Sequence, residues 1–498
     1  MAGISRTGIG SLVQVKAAGP QDDVIHSNAT TASFQAEIKQ HTPFAAMQDV
    51  VKPQSPARLG STLVFKVPKG VHMLNSAYVC ITLPTIFDGL SDNQPQDDDQ
   101  PPAIYKNHLG HLLVKHVALK ADGDTIVQYP GEYLYAQYIL NTPVSKQLAY
   151  KAMMGIREID YDIDYHTYYS NTVDSDSVLL FEEDDHRVYV DDAKSYSHIS
   201  HYRIGSTLHI PIPLWGHNED VAQFFPVGAL YDQDVEIHVT LNTFNNLYST
   251  QSFGNYVDVA VRLEVSKHGT VAVVFGDKGA QKVHYEVTED VVDTGNVTVG
   301  TRLVPGDVVS DTALVDSWMY IEHIHLDHNE KQNLVQTPQE YIYTDIKVQK
   351  EPLVANQNKI SLTFTSPVKQ LLWFVSHDSD LRNYNESQFL RFDKARFIFG
   401  DEDGAAQMSL MSDDYFMSMQ SFNYNRNVPT TNRPLYSYSF SLSPHSGHNT
   451  GSIHFGKLPK KILEINGDNL AGKHITIFAL CYNILDTQRG AASVRFRA

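Results

Sequence analysis

The chain has 498 residues, 42% hydrophobic and 19% charged, a globular composition that excludes wholesale disorder and exceeds what one hydrophobic core usually serves. Its formal net charge is −18, with acid gathered in Asp97-Asp98-Asp99 and Glu182-Glu183-Asp184-Asp185 and Lys and Arg scattered. Gripping a nucleic acid needs the reverse, a basic face that neutralises phosphates, so direct nucleic-acid binding is not expected.

The segment from Met1 to about Ile25 contains Gly8, Gly10 and Gly19 and little apolar pattern; it is expected to be an arm. Its start lacks the apolar core of a signal peptide, and no run of about 18 apolar residues occurs, so the chain is expected to remain in the cytoplasm where it is made. Period-two alternation then recurs from end to end, the mark of strands with one face on a core. Candidate strands are Thr62–Val67, Tyr78–Leu83, Leu112–Leu119 and Thr207–Ile212. Val235, Ile237, Val239 and Leu241 alternate with Glu236, His238 and Thr240. Helical signal is thin; its best stretch is Gly131–Met154, interrupted at Pro143, which suggests two short helices lying on a sheet. Asp92–Pro102 and Glu158–Tyr196 are long polar loops, of the kind that usually serve contact or recognition.

A Gly- and Val-rich stretch, about Asn245 to Asp311, reads as a small β connector. Beyond it Ile360, Leu362 and Phe364 alternate with Ser361 and Thr363, followed by Phe392–Phe399 and Ile475–Tyr482. Tyr436, Tyr438, Phe440 and Leu442 are expected to face one way and Ser437, Ser439 and Ser441 the other, toward loops or neighbouring chains. Cys80 and Cys481 each sit in an apolar alternating run and read as buried thiols in a reducing compartment. Leu208–Pro213 followed by Asp234–Leu241 is echoed by Leu435–Leu442 followed by His474–Tyr482, which suggests a duplicated sandwich. The expected fold class is all-β, two consecutive eight-stranded antiparallel sandwiches with long loops and few short helices.

Several passages resemble the major capsid proteins of the nucleocytoplasmic large DNA viruses, the double jelly-roll family. Leu435–Leu442 leading into Ser446–Phe455 is similar to that family's "YSFAL … PSGT-NFS" passage. Tyr482-Asn483-Ile484-Leu485 matches its closing "YNxL" core, and Gly131-Glu132-Tyr133-Leu134 its "GEYL". Leu214-Trp215 with Phe225–Leu230, Leu326-Asp327 with Gln339–Ile342, and Val368–Trp373 follow in family order. The resemblance implies four parts: an arm at 1–25, a first jelly roll at 26–244, a connector at 245–312 and a second jelly roll at 313–498. It implies a structural subunit of a large icosahedral double-stranded DNA virus, not an enzyme, with no catalytic, cofactor or metal residues. Its implied partners are two further copies in a homotrimer, neighbouring capsomers, minor capsid and penton proteins, and an inner membrane at the base. Assembly is implied in the host cytoplasm and residence in the virion's outer shell. A non-viral β-sandwich that binds carbohydrate through Tyr-rich loops is the alternative reading.

Other motifs favour bland readings. Gly451-Ser452-Ile453-His454-Phe455-Gly456-Lys457 satisfies the first part of a phosphate-loop pattern, but Leu458 and Pro459 replace the hydroxyl residue that follows the Lys, and the surroundings are strands. His323, His325 and His328 with Asp327 could be drawn as a metal cluster, since His323 and His325 would share a strand face. With 23 histidines in the chain, chance clustering is the favoured reading. No G-x-S-x-G elbow occurs. Sequons at Asn28, Asn296 and Asn385 are expected to be silent in a cytoplasmic product. Protonating all 23 histidines would move the formal charge from −18 to about +5. Contacts between capsomers are therefore expected to change between about pH 7 and about pH 5; assembled shells with identical sedimentation across that range would contradict this.

Overall fold

The computed structural model describes residue 20 and residues 40–83, 103–156, 207–214, 224–243, 246–250, 260–265, 271–274, 295–296, 314, 316–381, 383–384, 388–400, 406–446 and 448–496. The contact pattern divides the chain into Met1–Pro43 and Phe44–Ala498. The expected arm at 1–25 lies outside the described residues apart from Pro20, as do the loops Asp92–Pro102 and Glu158–Tyr196 and the sequons at Asn28 and Asn385.

Strands dominate Phe44–Ala498. The first are β1 (Phe44–Val51), β2 (Thr62–Lys66), β3 (Met73–Thr82) and β4 (Ala103–Tyr105). Helix α1 (Leu109–Leu113) then leads into β5 (Val114–Ala121) and β6 (Asp124–Pro130). The turn between β5 and β6 places Asp122 and Gly123 at φ 49 and 87, the left-handed pair that an Asp-Gly hairpin supplies. Helices α2 (Glu132–Asn141) and α3 (Val144–Met154) follow. Pro143 stands at their junction, and Gly155 caps α3 at φ 63 with its N–H on the Lys151 carbonyl. Next come β7 (Thr207–Ile212), β8 (Val235–Leu241), β9 (Tyr248–Thr250), β10 (Ala260–Val265), β11 (Val271–Val274), β12 (Gly295–Asn296) and β13 (Asp316–Leu326).

Eight of these strands make two antiparallel sheets, ordered β1-β13-β3-β7 and β2-β8-β5-β6, facing one another across a core. Eight strands in this order form a jelly roll. The expected boundary assigned 313–498 to the second roll, with 245–312 between the rolls. Backbone pairing shows otherwise: Asp316–Leu326 is hydrogen-bonded on one side to β1 and on the other to β3. It is the eighth strand of the first roll, so the 245–312 stretch interrupts that roll instead of following it. Within it, β10 pairs with β11 and β12 in a separate three-stranded sheet.

Helix α4 (His328–Gln336) links the rolls. The second roll comprises β14 (Gln339–Leu353), β15 (Gln357–Ser361), β16 (Pro367–Ser376), β17 (Phe389–Leu390), β18 (Lys394–Gly400), β19 (Ala406–Gln407) and β20 (Met411–Ser412). A π-helical turn (Tyr415–Met419) and α5 (Gln420–Tyr424) precede β21 (Tyr436–Ser439), β22 (Ile453–His454), β23 (Lys460–Asn466), β24 (Lys473–Gln488) and β25 (Ala491–Val494). Its sheets repeat the first roll's order: β14-β24-β16, with β22, β21 and β17 sharing the far edge of β16, and β15-β23-β18 followed by β19 and β20. The duplication expected from the sequence is thus present in strand order.

Three local expectations change. Leu112 and Leu113 belong to α1, and the strand starts at Val114. Strand β21 ends at Ser439, and Leu442 is 84% exposed instead of sharing the core face, because the chain leaves the sheet where Ser441 Oγ meets Thr450 Oγ1 at 2.5 Å. Leu148 of α3, expected against a sheet, is also exposed. Both cysteines are fully buried and free.

Gly131 explains the Gly-Glu-Tyr-Leu motif physically. A Cβ there would lie 1.8 Å from the Val114 carbonyl oxygen, where β6 ends and α2 begins tight against β5. Gly131→Ala is expected to cost about 3 kcal/mol or more, read as a lowered midpoint in urea unfolding.

Candidate functional site

The two rolls meet through one sheet. On β16, Val368, Leu371, Trp373 and Val375 face the second roll's own core, while Leu372 and Phe374 face the core shared with the first roll. On β24, Ile475, Ile477, Ala479 and Cys481 face inward, and Phe478 and Leu480 face the first roll. A sheet covered on both faces needs apolar residues at successive positions, which is why Val368–Trp373 and Ile475–Tyr482 read as runs more than as alternation.

The first roll covers this sheet with α1, α2 and β6. Phe478 lies 5.8 Å from the Tyr133 ring and 6.2 Å from Phe374. Tyr135 stacks on Phe389 at 5.4 Å and lies 4.6 Å from Tyr384. His111, with its ring 5.5 Å from Tyr384, is 1% exposed, and burial pushes its pKa down to about 3. Neutral at physiological pH, it packs as an aromatic ring and shares a hydrogen bond of 3.1 Å with the Tyr150 hydroxyl. Polar clasps close the edges. Lys350 of β14 reaches Glu132 of α2 and Asp380, each at 2.8 Å; the Tyr343 hydroxyl donates to the Ile126 carbonyl at 3.0 Å; the Arg426 and Asn427 amides donate to the Leu140 carbonyl at 3.1 and 3.0 Å.

Two adjoining clefts of ≈ 470 and ≈ 460 Å³ run along this seam and share His116, Pro130 and Lys350. Lys350 is held there between two carboxylates. Lys369 is 2% exposed, its ammonium on Thr344 Oγ1 at 2.7 Å and over the Tyr482 ring at 5.4 Å, and burial lowers its pKa to about 8.

One end of the first roll gathers the long segments. Thr82, which ends β3, is opposite both Asp316, which opens β13, and Thr207, which opens β7. In the other sheet Val114 pairs with Leu241, the end of β8, and His116 with Pro130, the end of β6. The segments after β3, β6 and β8 therefore leave from the same end. The contacts of α2 with Tyr384, Phe389 and Asn427 put the corresponding segments of the second roll beside them.

The residues weighed for chemistry go separate ways. His323 Nε2 meets Asp49 at 3.1 Å, His325 stacks on His72 at 3.9 Å, and His328 meets Gln332. Among the described residues no group of three or more His, Cys, Asp or Glu side chains is arranged around a metal position. Gly451–Lys457 forms a short strand and a 3₁₀ turn anchored by Phe455, leading into β23 instead of a phosphate-facing helix. Ser437 and Ser439 turn to their own chain: Ser437 Oγ accepts from Asn425 Nδ2 at 2.9 Å, and Ser439 Oγ donates to the Ser441 carbonyl at 2.7 Å. The seam residues His111 and Tyr384 carry no signal in the sequence, whereas Tyr135 falls in the apolar pattern of the helical stretch Gly131–Met154.

Two jelly rolls joined through a shared sheet define a building block whose work is geometric. The family model described as "Large eukaryotic DNA virus major capsid protein" matches residues 330–493, and "Major capsid protein N-terminus" matches residues 32–274. "Probable capsid protein 4" of Acanthamoeba polyphaga mimivirus is 22% identical over 96% of this chain and 97% of its own length. The major capsid protein of Pyramimonas orientalis virus is 22% identical over 98% and 99%. Among solved structures, the PBCV-1 virus capsid subunit superposes with a TM-score of 0.60 at 13% identity, covering 93% of this chain and 100% of that one. The Faustovirus major capsid protein gives 0.58 at 10%, covering 97% of each. The chain belongs to the major capsid proteins of the large eukaryotic DNA viruses; it is a structural component of the virion's capsid shell, not an enzyme.

Phe478 is fully buried between the rolls. Phe478→Ala is expected to cost about 3–5 kcal/mol and to split one calorimetric unfolding transition into two, as the rolls lose their common face.

Proposed function

We propose that three copies close into a ring by repeating, between chains, the packing that joins the two rolls within one chain. The observation that carries this is an unfilled equivalence. Within the chain, the outer face of β14-β24-β16 is covered by the helices that follow β6. The matching outer face of the first roll is the one bearing Val50, Tyr320, Trp318 and Tyr78, paired across β1, β13 and β3. Val50 is 59% exposed, and Trp318, Tyr320 and Tyr78 are half-buried. The matching cover in the second roll is the helical segment after β20, where Met419 and Phe422 are 60% and 79% exposed.

These surfaces are different from one another, so the contact is heterologous and must close by rotation or grow as a filament. Two similar rolls per chain make closure after three chains a six-part ring with a nearly hexagonal outline, able to tile a flat facet. Aromatic and apolar groups on both surfaces suit an obligate interface. The loop-bearing ends then point to one side of the tile. We further infer contacts with neighbouring capsomers and with minor capsid and penton proteins, an inner membrane at the base, and assembly in the host cytoplasm. The net charge of −18 supports a shell without direct nucleic-acid contact.

Light scattering of the purified chain is expected to give three times 55.9 kDa, about 168 kDa. Phe422→Asp and Val50→Asp, on the two opposed surfaces, are each expected to release folded monomer. A wild-type monomer, or mutants that remain trimeric, would overturn the ring.

A further inference from the structure

We propose that His72 is a proton-operated latch, which holds the linker between the two rolls in place while neutral and releases it when protonated. His72 directly precedes β3, at the end of the first roll opposite to the long segments, where Leu326 closes β13 and α4 begins. Its Nδ1 accepts the Leu326 amide proton at 2.9 Å. An imidazole that accepts at Nδ1 carries its one proton on Nε2. A second proton must occupy Nδ1 itself, replacing the acceptor lone pair with an N–H aimed at the Leu326 N–H, so protonation and this hydrogen bond exclude each other.

The surroundings leave a charged ring little relief. His72 is 2% exposed, and its Nε2 is buried with no hydrogen-bond partner. The His325 ring stacks on it at 3.9 Å with 26° between planes. From β13 it also faces His323, and from α4 it faces Lys331. Asp49 of β1 is engaged with His323 Nε2 at 3.1 Å. The turn at Phe225–Gly228 contributes no charged side chain. It binds the His72 carbonyl through the Gly228 amide at 2.8 Å, and a Cβ on Gly228 would lie 3.2 Å from His72 Cα and from Leu334 Cδ2 of α4. The remaining ionisable groups of the first turn of α4 are Asp327 at its N-cap, His328 and Glu330. Burial first, then His325, Lys331 and His323, push the His72 pKa down from the ordinary value of 6.5 to about 4.

The sign follows from linkage. A ring that titrates near 6.5 when released and near 4 when latched favours release as pH falls through that window. The latch is intact above the ordinary value and weakens up to about tenfold per pH unit below it. Between about pH 7 and about pH 5 the open fraction should rise roughly 20-fold. What opens is Leu326 and α4, the segment from which β14 is hung, so acid would loosen the hinge between the rolls before either core.

Hydrogen–deuterium exchange of the full-length assembled protein tests this on peptides covering residues 320–340, with rates corrected for intrinsic pH dependence. The wild type is expected to show the 20-fold rise from pH 7 to pH 5, with β24 unchanged over the same range. His72→Asn keeps an acceptor near the Nδ1 position and cannot titrate; its profile should be flat. If it does not fold, His72→Gln serves the same purpose. A flat wild-type profile, or the same rise in the non-titrating variant, would overturn the latch. Neither result bears on trimer formation, which the light-scattering mass reads separately.

Discussion

The structure depends on a sheet that serves two cores at once. Strands β14, β24 and β16 close the second jelly roll with one face and seat the first roll with the other, through Leu372, Phe374, Phe478 and Leu480. Burying each such side chain is worth about 1.5–3 kcal/mol, and the aromatic contacts around Tyr133, Tyr135 and Tyr384 add to it. A flexible tether between two self-sufficient sandwiches would leave their angle free. A common sheet fixes it, and a lattice unit needs a fixed angle.

That constraint organises the periphery. Because the helices after β6 are committed to covering the second roll, the long segments leave at one end, and the linker α4 is left at the other. The strand order makes the two rolls equivalent, and among the described residues the second roll's outer face is the one covered by helices of the same chain. In the proposed ring, the exposed Val50, Met419 and Phe422 are the surfaces that meet between chains. The polar groups follow the same logic: Lys350 with Glu132 and Asp380, and Asn427 with Leu140, staple the rims of the seam, whereas its interior is aromatic, with His111 held neutral.

The sequence by itself determined the class. Alternation at Val235–Leu241 specified a strand with one buried face because side chains project to opposite sides at every step. Pro143 divided the helical stretch in two because it lacks an amide proton and fixes its own φ. The order of the short motifs identified a double jelly roll. Tertiary structure decided which strand belongs to which roll. Asp316–Leu326 looks like the start of the second half in chain order, but its hydrogen bonds lie between β1 and β3, more than 230 residues earlier, and local pattern carries no record of a partner so remote. The same holds for the histidines: 323, 325 and 328 are neighbours in sequence, yet the contact that matters joins His325 to His72, a pairing created only when β13 is laid beside β3.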